Sequence, residues 1–335
     1  MFETILEILF DFFPVIIIPL YGFVIILLFR SFNYITYIGN RVDTYKDLKE
    51  KYENLLNDKT DRVLENISKK IIASGAFRDN RIKFSCFFTH KDGENLNDYK
   101  DAFAYSVSSE NNEASLKIGL SDGATVSAFS KNWSDLLVRK YIKSNISDIN
   151  GFKNIFNELN EIQQKYINTS RENQWWLQDA FIVSAATFLG FEINSSIRNN
   201  GINYWNSFSV GDTCLFQFRQ NKLLQSFPMV NEEKFNNKPD LLTNNRDYNE
   251  KNDIWNKSKE IKGKWEKDDT FVLATDGFAK WLLGKIKHNE KCFEDIPGFK
   301  EINFRYKETE NWIRNKQSSG EMQNDDITII LIQIN

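Results

Sequence analysis

Four aspartates stand where an apolar run of the sequence meets a turn: LSDGA at Asp122, VGDTC at Asp212, ATDGF at Asp276 and NDDIT at Asp325. Asp-Gly is a common turn dipeptide, so each site alone is consistent with a simple turn. Together they matter because sheet packing can bring strand ends into one place, and clustered carboxylates repel one another unless cations neutralise them. Oxygen ligands favour hard ions, Mg²⁺ or Mn²⁺.

Other catalytic residue types are scarce. The three cysteines, Cys86, Cys214 and Cys292, form no CxxC pair, which argues against a disulfide framework and a zinc site. Only His90 and His288 are present, so an imidazole-based triad is disfavoured. The chemistry is therefore expected to rest on carboxylates.

Composition excludes further classes. The 335 residues carry 43 Lys and Arg against 46 Asp and Glu, a formal net charge of −3, so no nucleic-acid partner is expected. With 41% hydrophobic and 27% charged residues, the chain has the composition of a globular protein. A nucleotide-driven ATPase is disfavoured because the sequence lacks a GxxxxGK[ST] loop.

Past Gly75, short runs with β propensity predict strands over Ile82–Phe88, Ala102–Val107, Ala114–Leu120, Ala180–Ile193, Tyr204–Val210, Thr213–Phe218 and Ile327–Ile334. Apolar spacing predicts helices over Val126–Ile142, Phe278–Ile286 and Phe304–Lys316. Since strands and helices do not alternate strictly, we expect an α+β fold with antiparallel sheets. The polar stretch Gln225–Lys267 is predicted to be a long excursion over the surface.

The N-terminus predicts a membrane anchor. Phe12–Phe29 holds eighteen residues without a charge, and a helix of that length spans roughly 27 Å. A cleaved signal peptide is disfavoured because Glu3, Glu7 and Asp11 make the preceding segment acidic; an apolar core helix is the other alternative. Lys and Arg occur only after the span, which predicts a single-pass protein at the cell membrane with its C-terminal part in the cytoplasm.

Between Asp43 and Ser74 the sequence has no Pro or Gly, and acid-first pairs such as Asp47/Lys51 fall at i,i+4. This spacing favours a charged helical stalk. A dimeric coiled coil is the alternative, although the polar run Asn57–Asp61 interrupts any sustained heptad.

The order of the motifs GLSDGA, AATFLGFEI, VGDT, LATDGFAKWL and NDDITIILI, over about His90 to Ile334, resembles the metal-dependent protein phosphatases of the 2C type. The segment SFPMVNEEKFNNKPDLL is similar to a bacterial branch of that family. The resemblance implies a central sandwich of two antiparallel sheets flanked by helices, with a centre of two divalent cations, Mg²⁺ or Mn²⁺, at one end.

Position by position, the resemblance implies that Asp122 bridges both metals and that Gly123 offers its backbone carbonyl to one. It implies that Asp276 and Asp325 complete the ligand set of the other metal, and that Asp212 lies near an optional third ion. Asp101 matches the acidic residue that reaches the metals through water, so the catalytic residues are expected to be Asp101 and Asp122.

Three positions depart from the family pattern. Leu96 stands where many members have a phosphate-gripping Arg, Lys100 where Glu is usual, and Ala124 where some members have a His. His90, Lys91 and Lys100 are candidates for supplying positive charge, or are solvated loop residues. The metal-binding residues are therefore expected to be intact, whereas the residue that binds the substrate phosphate is not identified.

The sequence thus predicts a membrane anchor over residues 1–30, a stalk over 31–75 and a 2C-type phosphatase domain over 76–335. The expected activity is removal of phosphate from Ser or Thr of cytoplasmic proteins, opposing a Ser/Thr kinase. The alternatives are a pseudophosphatase that binds or signals without turnover, and a small-molecule phosphohydrolase.

Overall fold

The computed structural model describes residues 82–94, 98–110, 113–125, 127, 129–173, 183–196, 203–236, 238–288, 293 and 295–334. The predicted membrane span Phe12–Phe29 and the predicted stalk over 31–75 lie outside these residues. Within them, no helix combines the length and the apolar character needed to cross a bilayer.

The strands are antiparallel and form two five-stranded sheets and a small pair. Their bounds are β1 Ile82–Thr89, β2 Ala102–Glu110, β3 Glu113–Ser121, β4 Ala185–Ala186, β5 Phe188–Ser196, β6 Asn203–Val210, β7 Cys214–Arg219, β8 Lys222–Phe227, β9 Leu242–Thr243, β10 Lys259–Lys264, β11 Asp269–Ala274 and β12 Ile327–Ile334. The first sheet has the order β1-β12-β11-β7-β8 and the second β10-β6-β5-β3-β2, while β4 pairs with β9.

The α-helices described are α1 Ser130–Lys143, α2 Ile149–Asn173, α3 Arg246–Lys251, α4 Ile254–Lys257, α5 Asp276–Lys287 and α6 Tyr306–Ser318, with a 3₁₀ turn over Glu232–Lys234. Buried residues of α1 and α2 cluster with those of the second sheet. Residues of α5 and α6 cluster with those of the first. Helices therefore cover both outer faces.

The inner faces of the two sheets pack on each other, and strand β12 shows how the sequence encodes this. Ile330, Ile332 and Ile334 lie in the core shared by both sheets. Ile329 and Leu331 point the other way, into the cluster with α5 and α6. Because successive side chains alternate between faces, a strand covered on both sides must be apolar throughout. The predicted sandwich of two antiparallel sheets with flanking helices is confirmed.

The predicted excursion over Gln225–Lys267 is wrong in part. Its last section, β10, pairs with β6 at the edge of the second sheet, and Trp265 after it is buried. The sequence pattern did not predict this strand because it contains three lysines and a glutamate. Charged residues are nevertheless typical of edge strands, where they prevent aggregation.

Candidate functional site

The sheet register brings the predicted aspartates to one edge of the sandwich. In the second sheet Ala102, which follows Asp101, pairs with Ser121, which precedes Asp122. In the first sheet Ala274, two residues before Asp276, pairs with Cys214 of β7 and with Ile329 of β12. Strand ends of both sheets therefore meet at this edge, which we call the acidic edge: Asp101, Asp122, Asp212, Asp276 and Asp325.

Asp101 is buried at its place before β2, with 4% exposure. Its Oδ2 accepts a hydrogen bond of 2.7 Å from Thr328 Oγ1, and the Tyr99 hydroxyl lies 2.5 Å from the same Thr328 oxygen. Its Oδ1 is buried without a hydrogen-bond partner. Burial, followed by the charge of Asp326, raises the pKa of Asp101 well above its usual range.

Asp122 lies where β3 ends, anchored through its backbone. Its N–H donates to Thr187 Oγ1 at 3.2 Å, and its carbonyl accepts from Thr187 N at 2.8 Å. Burial raises the pKa of its carboxyl well above the usual range, and Asp101 and Asp276 raise it further.

Gly123 leaves no room for a side chain. A Cβ built there would lie 2.7 Å from the carbonyl oxygen of Lys100 and 2.8 Å from Ser134 Oγ. Glycine therefore permits the turn after β3 to press against the residue that precedes Asp101.

Asp276 is the first residue of α5. A carboxylate is favoured there by the helix dipole and the free N–H groups of the first turn. Even so, burial and the charge of Asp325 raise its pKa to about 6, and its Oδ1 is buried without a hydrogen-bond partner. Lys280, one turn along the helix, opposes this shift.

Asp212 is buried in the turn between β6 and β7, with 2% exposure. Gly211 before it has a φ of +92°, and a Cβ at that position would meet the Asp240 carbonyl oxygen at 2.7 Å. Burial, followed by the charge of Asp276, raises the pKa of Asp212 to about 7.

The adjacent Asp325 and Asp326 have different environments. Asp325 accepts from Gln323 Nε2 at 3.2 Å and from its neighbour's backbone N–H at 3.0 Å. Asp326 is buried, and its two oxygens accept from the backbone N–H groups of Lys91 and Lys100, each at 2.8 Å. Asp326 thus fixes the segment before Asp101, a role that the sequence reasoning missed because nothing in NDDIT separates the two residues.

The acidic edge concentrates like charge, which Lys280 opposes at Asp276. Asp101, Asp212, Asp276 and Asp325 each raise the pKa of Asp122, and two buried carboxylate oxygens, on Asp101 and Asp276, have no hydrogen-bond partner. Such a donor set fits hard divalent cations. In the arrangement described, however, no three His, Cys, Asp or Glu side chains of the described residues are grouped closely enough to hold one ion. The metal-ligating roles of Asp122, Gly123, Asp212, Asp276 and Asp325 stay predictions, as do the catalytic roles of Asp101 and Asp122.

The candidate cationic residues near this edge are engaged by the protein. The ammonium of Lys100 lies 3.8 Å from Glu94, and His90 Nδ1 lies 2.9 Å from the carbonyl of Lys91. Arg314, which the sequence reasoning did not single out, donates to Thr89 Oγ1 at 3.0 Å and lies 3.4 Å from His90 Nδ1. Leu96 lies outside the described residues.

A groove of about 400 Å³ adjoins the acidic edge. Gly277 and Gln323 line it on the side of the aspartates, and Lys280 and Trp281 of α5 line it further on. The Trp281 side chain is buried, yet its indole N–H has no hydrogen-bond partner. The indole N–H is thus a buried donor without a partner next to this groove.

Known proteins resemble this chain only weakly. No protein-family model matches the chain, and no curated protein matches it. Three similar solved structures are the photosystem II phosphatase PBCP (14% identity, 76% of this chain and 99% of that one, TM-score 0.40), the Mycobacterium tuberculosis serine/threonine phosphatase PstP/Ppp (13%, 75% and 98%, 0.44) and the S. agalactiae serine/threonine phosphatase (12%, 76% and 100%, 0.44). Similarity at these values does not establish an activity for this chain.

Proposed function

We propose that this protein is a metal-dependent phosphatase that hydrolyses phosphoserine and phosphothreonine in proteins. The proposal rests on one observation: five aspartates, from five separate strand ends, converge on one edge of the sandwich. Four of them raise the pKa of the fifth, Asp122. Neighbouring aspartates also raise the pKa values of Asp212 and Asp276. Grouped carboxylates with strongly raised pKa values are typical of functional sites. The motif order GLSDGA, VGDT, LATDGF and NDDIT supports the same reaction.

Asp122, Gly123, Asp276 and Asp325 would hold two divalent cations, Mg²⁺ or Mn²⁺; Asp212 would belong to an optional third ion, which the reaction does not need. Bound there, such ions supply an activated water as nucleophile and offset charge on the phosphoryl oxygens. The protein's own contribution is to orient: Thr328 fixes Asp101 through Oδ2, which leaves the unpartnered Oδ1 to accept a proton from a water in the site. No cysteine nucleophile is required, in keeping with the burial of Cys86 and Cys214.

The groove beside α5 supports a polypeptide substrate over a small molecule. It extends from Gly277 past Trp281 to Gly284 and His288, so chain flanking a phosphoresidue can lie along it. The Trp281 side chain lines the middle of that path. Lys280 would supply positive charge near the phosphate in place of the arginine that Leu96 replaces.

We infer further that Phe12–Phe29 anchors the protein as a single-pass span at the cell membrane, with the domain in the cytoplasm. The span is eighteen residues without a charge, and Arg30, Arg41 and Lys46 follow it. Its substrates would then be cytoplasmic phosphoproteins, and its opposing partner a Ser/Thr kinase.

A second candidate is a pseudophosphatase that binds a partner without turnover. It is favoured by Leu96 and Lys100 at positions where the family pattern has Arg and Glu, and by the absence of a closely grouped ligand set among the described residues.

Hydrolysis of p-nitrophenyl phosphate and of a phosphothreonine peptide, with Mn²⁺ or with EDTA, separates the two. The enzyme predicts turnover that requires metal and is lost in Asp122→Asn and in Asp276→Asn. A wild-type protein that binds Mn²⁺ but hydrolyses neither substrate would establish the pseudophosphatase.

A further inference from the structure

The outer face of the second sheet changes character along its strands. Near the acidic edge it is covered: a Cβ at Gly119 would lie 3.2 Å from Val138 of α1, and Tyr141 packs against Phe188 and Phe208. Helix α1 ends at Lys143. Beyond that point the same face lies under a loop instead of a helix.

Here a row of polar residues crosses all five strands in register. Each residue pairs with the next across the sheet, in the order Ser106, Lys117, Glu192, Asn206 and Lys262. The neighbouring row continues the pattern with Ser108, Ser115 and Asn194. Packing does not explain two consecutive polar rows, because the part of the same face that lies under α1 is apolar.

These rows form the floor of a cleft of about 770 Å³, which we call the lysine cleft. Its wall consists of the end of α1 and the following loop, including Lys143 and Ser144. Asn206 holds that loop in place, because its Nδ2 donates to the carbonyl of Ser147 at 2.7 Å. The volume lies in the range of small-molecule sites, about 300–1,000 Å³.

Lys117 is the group that points to a ligand. It is 7% exposed, its Nζ donates to the Ser144 carbonyl at 2.6 Å, and it lies 4.4 Å from the centroid of the Tyr141 ring. An ammonium has three N–H donors, and these two contacts leave one over. Burial lowers the pKa of Lys117, so an anion in the cleft would offset the cost of burying its charge.

The carboxylate opposite Lys117 fills this role only in part, because the charge of Glu192 opposes the fall in the pKa of Lys117. Glu192 accepts from Ser115 Oγ at 2.9 Å, and no ion pair to Lys117 occurs among the described residues. Lys143 and Lys262 add two cations to the lining. Three lysines against one glutamate give the lysine cleft a positive charge on a domain whose other end is acidic.

We propose that the lysine cleft binds a small phosphate ester of a polyhydroxy compound, of the class of sugar phosphates and nucleoside monophosphates. The phosphate lies against Lys117 and Lys143, while Lys262, three strands away from Lys117 along the row, contacts the organic part. The hydroxyl groups of the organic part exchange hydrogen bonds with the serine hydroxyls and asparagine amides of the two polar rows. This site is separate from the acidic edge and does not depend on phosphatase activity.

The test is isothermal titration calorimetry of the full chain, in detergent and EDTA, with glucose 6-phosphate, AMP, inorganic phosphate and glucose. EDTA keeps cations from the acidic edge, which then repels phosphate, so heat reports the lysine cleft alone. We expect one of the two esters to bind more tightly than inorganic phosphate, and glucose not to bind. Lys117→Met and Lys262→Met should each weaken ester binding by about tenfold.

Lys264→Met is the matched control, since Lys264 lies on the same strand and face as Lys262 but outside the cleft lining; it should bind as the wild type does. If Lys117→Met fails to fold by circular dichroism, Lys143→Met with Lys262→Met decides. The proposal is overturned if neither ester binds up to about 10 mM, if inorganic phosphate or glucose binds as tightly as the esters, or if the folded cleft variants keep wild-type affinity.

Discussion

Thr328 donates a hydrogen bond of 2.7 Å to Asp101 across 227 residues of sequence. Thr328 belongs to the closing strand β12 of the first sheet, and Asp101 precedes β2 at the edge of the second. The bond therefore ties the two sheets together at the acidic edge. It also decides which oxygen of Asp101 remains available, because Oδ1 has no partner.

The first prediction concerns pH and the metal-free protein. Asp212 and Asp276 have pKa values of about 7 and about 6 in the folded chain, against an ordinary value of about 3.9. The folded state thus binds more protons than the unfolded state between these values, so the free energy of unfolding falls as pH rises through this range, by an amount on the order of a few kcal/mol. Thermal unfolding in EDTA at about pH 5 and about pH 8 measures it.

Asp212→Asn is the control for that prediction, because it removes one of the repelling charges. It should raise the melting temperature at the higher pH and reduce the difference between the two pH values. A metal-free wild type that becomes more stable on raising the pH, with Asp212→Asn changing nothing, would contradict the electrostatic picture.

The second prediction is that Gly123→Ala destabilises the protein. The added methyl group would meet the Lys100 carbonyl and Ser134 Oγ below 3.0 Å, so the turn after β3 must move away from Asp101. We expect a loss on the order of 1–3 kcal/mol and weaker Mn²⁺ binding. Gly284→Ala in α5 is the matched control, since nothing lies within 4 Å of its Cβ position, and it should be neutral or stabilising by up to about 1 kcal/mol.

The third prediction separates two adjacent aspartates. Asp326→Asn replaces one acceptor oxygen by an amide that cannot accept from Lys91 or Lys100, and should cost about 1–3 kcal/mol of unfolding free energy. Asp325→Asn should leave stability unchanged or raise it, while weakening Mn²⁺ binding. Denaturant unfolding and Mn²⁺ titration of both variants measure the split. Equal effects of the two substitutions on both readouts would show that our division of roles is wrong.

The fourth prediction concerns Lys280. Its charge acts on Asp276, and it lines the groove beside the acidic edge. Lys280→Met should raise the KM for a phosphothreonine peptide by about tenfold with a smaller change in kcat. Lys287→Met, on the same helix but paired with Glu232 and Glu233, should behave as wild type; a Lys280 variant with wild-type KM would exclude the proposed contact.

Much of the fold was predictable because the central strands carry runs of β-branched and aromatic residues. The run ITIILIQI could only be a strand covered on both sides, and β1, β3 and β12 were predicted to within two residues. Helix α2 was not predicted. Its buried positions are Phe152, Phe156, Leu159 and Ile167. Polar residues, chiefly Asn, Glu, Lys and Gln, separate them, so the apolar stripe is thin.

The site was predictable only in its composition. Strand-end aspartates can be read from the sequence, whereas the part of Asp326 in holding Lys91 and Lys100 depends on side-chain direction. Lys117 shows the same limit: it fits the outer face of an alternating strand, and only the register of five strands shows that its neighbours in the row are also polar.

The most direct test of the central claim is a Mn²⁺ titration of the full chain, followed by calorimetry, for the wild type and for Asp122→Asn. We predict two bound ions per chain in the wild type and loss of both in Asp122→Asn, since this residue is expected to contact each ion. A wild type that takes up no Mn²⁺ at about millimolar concentration, or an Asp122→Asn variant that binds two ions as before, would contradict the claim.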